Sequence, residues 1–364
     1  MEFEDVLEEL GGFGKFQKIL LWSFLLPSQF LLPFFSMNLI FLLSEPDHQC
    51  VVPELDALGL NTSHVEHFRK LVVSEDECSM FPLLPFNTTV PSGGNASDGA
   101  TWNLSGMVNQ SAAKQPCEQF RYDDLYYDET VPTKWDLVCD RGHLPSLVYT
   151  VGTVGGILGT LIFGAMADRC GRKGTFYVIV ALAVFSGFGA VLSTSFIFFV
   201  ATRFIKSLLD TQMEQLPYVL LMELVGAEQR TLMLGVTCVS WTLGMCLLPL
   251  VAYLSRTWVM LLTVCTCSSL PLFCYWKILP ESPRWLLSQN RLAEASAILR
   301  RVATWNGVKP PADLDQMLRR FGVSFRKLSI TLRQKMKTES SGSMLDVFTK
   351  PKIRKHLLIL TVIW

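Results

Sequence analysis

Apolar runs of about 20 residues recur along the chain, near positions 18–43, 145–167, 175–194, 197–222, 231–253 and 257–279. Coiled into a helix at about 1.5 Å per residue, each is long enough to cross roughly 30 Å of hydrocarbon. The first run follows the acidic stretch MEFEDVLEEL, has no basic lead and exceeds the apolar core of a secretion signal, so it predicts a retained spanning helix. Two polar segments interrupt the series. One, of about 100 residues, runs from Ser44 to Leu144; the other covers 280–355. Within the second, NRLAEASAILRRVATWNG sets Leu292, Ala295, Ile298, Leu299 and Val302 at helical spacing, with Asn290 as a possible N-cap and Gly307 as a stop. An amphipathic helix lying against the bundle is expected there. A further apolar run, HLLILTVIW from His356 to Trp364, covers about 12 Å of helix and reads as the truncated start of a seventh span.

Composition agrees with a membrane solvent. Of 364 residues, 50% are hydrophobic and 18% charged, with a mean hydropathy of +0.32, too apolar for an ordinary soluble domain. The net charge is zero, which gives no reason to expect a nucleic-acid partner. No nucleotide-binding loop, catalytic triad or redox pair is present, so the sequence reads as neither an enzyme nor a cofactor protein. VGTVGGILG carries Gly152-x-x-x-Gly156 and Gly155-x-x-x-Gly159, a pattern for close helix packing, and no strand precedes it to make a dinucleotide site. His64 and His67 lack a second ligand cluster, so no metal site is expected.

The Ser44–Leu144 segment holds five N-x-S/T triplets, at Asn61, Asn87, Asn95, Asn103 and Asn109, the mark of a glycosylated face. It also holds Cys50, Cys78, Cys117 and Cys139, enough for two disulfides in an oxidising compartment, with three pairings open. Charge bias points the same way. Arg284 to Lys355 carries sixteen Lys/Arg against five Asp/Glu, and Ser44 to Leu144 carries six against sixteen. The expected layout is a cytosolic N-terminus at 1–17, span one at 18–43, a large glycosylated extracellular loop at 44–144, spans two to six within 145–279, and a cytosolic loop at 280–355 with its amphipathic helix.

Against that topology the turn GAMADRCGRKG, Gly164 to Gly174, lies on the cytosolic side between spans two and three. Its order, Asp168-Arg169 followed by Gly171-Arg172-Lys173, resembles the loop signature of the major facilitator superfamily. ELVGAEQR, with Glu223 and Arg230, and PESPRWL, Pro280 to Leu286, resemble the charged elements of its sugar-porter and organic-ion-transporter branches. ETVPTKWDLVCDR, Glu129 to Arg141, and GGFGKFQ, Gly11 to Gln17, narrow the resemblance to solute carrier family 22. SMLDVFTKPKIRKHLLILTVIW is similar to its organic-cation-transporter-like branch. The resemblance implies an all-α membrane protein of twelve spans in two six-helix bundles, of which this chain is the N-terminal half. It also implies plasma-membrane transport of small organic ions by alternating access: cations, zwitterions such as carnitine, or anions such as urate or nicotinate.

Two sets of candidate residues follow. Asp168, Arg169, Arg172, Glu223, Arg230, Glu281 and Arg284 form an expected cytosolic ion-pair network that closes the inner side, the plainer alternative being that they only fix topology. In span four, Lys206, Asp210 and Glu214 fall at i, i+4 spacing on one face, and ionisable groups so deep face a cavity or a partner. They are substrate-path candidates, with an internal Lys206–Asp210 pair as the alternative. Gln29 and Asn38, among the helix breakers of span one, and Trp241 of span five extend that path. The expected partners are a small organic ion, the bilayer, and a C-terminal half or a full-length carrier. A competing reading is a truncated, non-transporting binding or regulatory protein.

Overall fold

The computed structural model describes residues 3–52, 69, 72–74, 77–82, 113–322 and 355. The five glycosylation triplets and the run at 356–364 lie outside the described residues. Helix α1, Phe3–Glu9, precedes the first span and carries Glu4 and Asp5 in its first turn, where the positive end of a helix favours acids. The first span, Lys15–Leu42, is built from α2 (Lys15–Leu20), a π-helical turn (Leu21–Leu25), α3 (Leu26–Ser36) and α4 (Asn38–Leu42). The widened turn has a cause in the sequence. Pro27 has no N–H to offer one turn back, and a π turn absorbs the fault without breaking the helix.

A short helix α5 (Val131–Lys134) then leads into the remaining spans: α6 (Leu144–Cys170), α7 (Arg172–Val191), α8 (Phe196–Met222), α9 (Arg230–Ser255) and α10 (Trp258–Cys267). Among the described residues, five helical segments are long and apolar enough to cross a membrane. The remaining long helix, α8, has the length but carries Arg203, Lys206, Asp210 and Glu214. The last span departs from the continuous helix expected over 257–279. It is α-helical only to Cys267 and continues as 3-10 turns over Leu270–Lys277, because Pro271 lacks the donor for the next α-helical bond.

Helix α8 packs against α6, α7 and α3, while α9 lies on α3 and α10 on α7. The glycines of span two explain the closeness of α6 to α8. A Cβ on Gly155 would stand 3.1 Å from the Phe204 carbonyl, and one on Gly159 would overlap the Leu208 backbone. Within lipid such helices associate by packing contact, since hydrocarbon outside is as apolar as the protein inside. Phe185 and Ile197 accordingly point outward.

At the end of the bundle where α6 begins, the polar segment forms two small ladders. His48–Cys50 (β1) pairs with Phe120–Tyr122 (β4), and Ser79–Met80 (β2) with Gln115–Pro116 (β3), both antiparallel. Cys50 bonds Cys117 and Cys78 bonds Cys139, which selects one of the three pairings left open by the sequence. The segment is fastened to the bundle at Glu129. The Trp258 backbone N–H donates to its carbonyl at 2.9 Å, and the indole Nε1–H to its carboxylate at 2.9 Å. Trp135 packs among Phe196, Phe199 and Trp258.

The opposite end carries α11 (Pro283–Ser288), α12 (Leu292–Asn306) and the helical stretch 314–322. Ala295, Leu299, Val302 and Ala303 bury one face of α12, and Gly307 ends it in the left-handed region. Asn290 is not its cap: that residue sits at φ +64, and α12 begins two positions later.

Candidate functional site

Helix α6 stops at Cys170 because Gly171 turns to φ +99, a conformation L side chains rarely adopt. Helix α7 then starts at Arg172 without a side-chain cap of its own. Its first donors are taken by a residue 109 positions away. Glu281 Oε1 accepts the backbone N–H of Arg172 at 2.9 Å and of Lys173 at 3.1 Å, and also that of Ser282 at 3.0 Å. Glu281 thus acts as a remote cap, placing a carboxylate on the positive end of α7. Its neighbour Ser282 caps α11 through the Trp285 N–H at 3.1 Å, and the Trp285 indole donates to the Asp168 carbonyl at 2.8 Å. A Cβ on Gly171 would collide with the Glu281 carboxylate and stand 3.2 Å from the Trp285 ring, so only glycine fits this junction.

Arg172 completes the site. Its guanidinium lies 3.5 Å from Glu223 Oε2, an ion pair without hydrogen-bond geometry, and 3.3 Å from both Asp168 Oδ1 and the Ala167 carbonyl. The side chains of Arg172 and Glu223 are 16% and 15% exposed, against 75% for Asp168. An exposed pair, screened by water, is worth about 0–1 kcal/mol, and the attraction strengthens as both partners are shielded from solvent. The Glu223 contact therefore dominates. Of the seven network candidates, the structure gathers Asp168, Arg172, Glu223 and Glu281, which join the α6–α7 turn to the end of α8 and the start of α11. Arg230 is elsewhere, paired with Glu4 of α1. Arg169 is exposed and Arg284 half-buried, and neither forms an ion pair among the described residues.

The charged face of α8 is divided. Arg203 is buried and donates to Asn38 Oδ1 at 2.8 Å; Lys206 is buried, donating to the Phe35 carbonyl and to Asp210 Oδ1, the latter at 2.9 Å. The internal Lys206–Asp210 pair is thus present. Gln29 and Asn38 are not an exposed wall. Both are buried ties, Asn38 to Arg203 and Gln29 to the Glu214 backbone carbonyl at 3.2 Å. Asp210 is half-buried, Glu214 exposed, and Trp241 packs half-buried on the core. Both cations are therefore held inside, Asp210 is spent on Lys206, and Glu214 is the exposed carboxylate of this face.

His48, Cys78 and Cys139 come together at the disulfide end, but both sulfurs belong to one disulfide and offer no thiolate to a metal. Nearby, burial and then the bond to Asp136 raise the Tyr122 hydroxyl above its ordinary pKa. Sequence reasoning missed Trp285, Glu4 and Asn306. Glu4 had a visible signal, since Phe3, Val6, Leu7 and Leu10 recur at helical spacing around it.

These features define a class: a helical membrane protein whose spans are tied at one end by a charged clamp. Residues 104–364 match the family described as sugar (and other) transporter, and the chain belongs to that family, with the helical fold of the major facilitator superfamily. The Beta-alanine transporter of Drosophila melanogaster is 32% identical over 378 residues, covering 100% of this chain and 61% of its own length. Solute carrier family 22 member 13 of Homo sapiens is 32% identical over 375 residues, covering 100% and 62%. A solved structure described as the major facilitator superfamily proton:xylose symporter XylE is 20% identical with a TM-score of 0.44, over 52% of this chain and 44% of that one. The chain thus spans about six-tenths of the length of these two curated relatives.

Proposed function

We propose that the chain belongs to a plasma-membrane carrier of small organic ions that works by alternating access, with its N-terminus and the Gly171 turn in the cytosol. The observation that carries this is the Arg172–Glu223–Glu281 clamp. It joins three helix ends through ion pairs and a remote cap, contacts that form or break as units when an inner gate closes or parts. On this reading Asn61, Asn87, Asn95, Asn103 and Asn109 are glycosylated on the outer side, and the inner gate closes in the outward-facing state. The substrate path runs along α8, where the exposed carboxylate of Glu214 and the half-buried Asp210, released from Lys206, favour a substrate bearing a cationic group.

The test is uptake of labelled organic cations, zwitterions and anions in cells with confirmed glycosylated surface protein, using this chain and the chain continued to its relatives' length. Substrate uptake that Asp210→Asn shifts away from cations is the expected result. Surface expression with no uptake by either form overturns the transport reading, and an unchanged substrate profile overturns the role of Asp210.

A further inference from the structure

Helix α1 is not a free terminus. Phe3, Val6, Leu7 and Leu10 are buried in one apolar cluster with Trp285, Leu286 and Leu287 of α11, Leu299 and Ala303 of α12, and Leu314 and Leu318 beyond it. The Phe3 and Phe321 rings lie 5.5 Å apart. Two polar contacts fix the register. Glu4 pairs with Arg230, the first residue of α9, whose positive charge sits unfavourably at a helix N-terminus until an acid answers it. Asn306, the last residue of α12, donates to the Leu10 carbonyl and to Gln17 Oε1, each at 3.1 Å, and accepts the Phe16 N–H at 3.0 Å. Its side chain fills the space a Cβ on Gly14 would need.

Trp285 belongs both to this cluster and to the clamp, where its indole holds the Asp168 carbonyl and its ring abuts Gly171. We infer that α1, through Glu4–Arg230 and Asn306, is a positioning brace for the inner gate. It seats α11 and α12 on the six-helix bundle so that Glu281 and Trp285 stay aligned with the α6–α7 turn. It acts on the rate at which the gate forms and leaves substrate recognition alone, because none of its residues lies on α8.

The experiment compares Glu4→Arg, Arg230→Glu, the double swap and Asn306→Ala in the chain continued to its relatives' length. Amide hydrogen exchange of residues 168–175 and 292–306 is read on purified protein, and uptake on cells. Each single charge reversal is expected to speed exchange in both segments by at least two- to fivefold, the range of a partly exposed pair, and to lower maximal uptake with KM unchanged. The double swap is expected to restore both. The inference is overturned if the double swap stays as impaired as the singles, or if exchange at 168–175 ignores every variant. Only the uptake arm rests on the transport reading. Absent uptake with coupled exchange would sink that reading and leave the brace standing.

Discussion

At the scale of single residues, the clamp ranks its members by burial. Glu223→Gln removes the partly shielded counter-charge of Arg172 and is expected to cost more than the loss of the solvated Asp168. Asp168→Asn is expected to cost under about 1 kcal/mol, since its pair is solvated. Thermal unfolding of the purified variants checks the order. Gly171→Ala is expected to lower the melting temperature more than Asp168→Asn. It places a side chain at φ +99 and ψ 156, a region kept almost entirely for glycine, at a cost of about 1–3 kcal/mol, and displaces the Glu281 carboxylate. Equal melting temperatures would overturn that reading of the turn. Asp315 gives a pH prediction. Its hydrogen bond from Ser296, followed by the nearby Arg300, holds its carboxyl below the ordinary carboxylate range. A folded pKa below the unfolded one stabilises above the unfolded value and is lost as pH falls through the folded one. Protection of α12 from hydrogen exchange is therefore expected to hold at neutral pH and decline below about pH 4, and to lose that dependence in Asp315→Asn.

At the scale of elements, the glycine face of α6 sets its distance from α8. Gly159→Leu drives a branched side chain into the Leu208 backbone and is expected to abolish folded surface protein, while Gly174→Ala, with nothing near its Cβ position, is expected to be tolerated. Expression and gel filtration in detergent distinguish the two. Spans, the charged turn and the packing glycines were legible in the sequence because each is a local pattern: an apolar run, a run of charges, a four-residue repeat. The partners were not. Glu281 reads as one more charge until folding brings it to the start of α7, and Arg230 looks like a gate residue until α1 takes it. The break in the last span was legible in principle at Pro271, but the apolar run on either side hid it.

At the scale of the whole molecule, the first span, through α3 and α4, is joined to α8 by hydrogen bonds from two buried cations inside the bundle. Arg203 answers Asn38, and Lys206 answers the Phe35 carbonyl. Sliding α8 along the first span would part Arg203 from Asn38 in a medium where an unanswered charge costs several kcal/mol, while Lys206 would keep only Asp210 of its own helix, so these helices are expected to move together. Asn38→Leu is expected to reduce the thermal stability of the purified protein by more than about 2 kcal/mol, because it leaves the guanidinium without its acceptor. A melting temperature equal to wild type would place the weight of that contact elsewhere.

The anchoring of Glu129 to Trp258 has a consequence in time. Both disulfides join cysteines 67 and 61 positions apart, all of them upstream of α6, so they can close once the first span and the loop have left the ribosome. Glu129 must wait for a tryptophan 129 positions later, at the head of α10. A nascent chain therefore passes through an interval in which both disulfides can be closed while Glu129 still lacks its anchor. Trp135 can pack on Phe196 and Phe199 once α8 is made, but the Glu129 anchor closes only when the sixth span arrives, so the outer end of this bundle is completed last by that span.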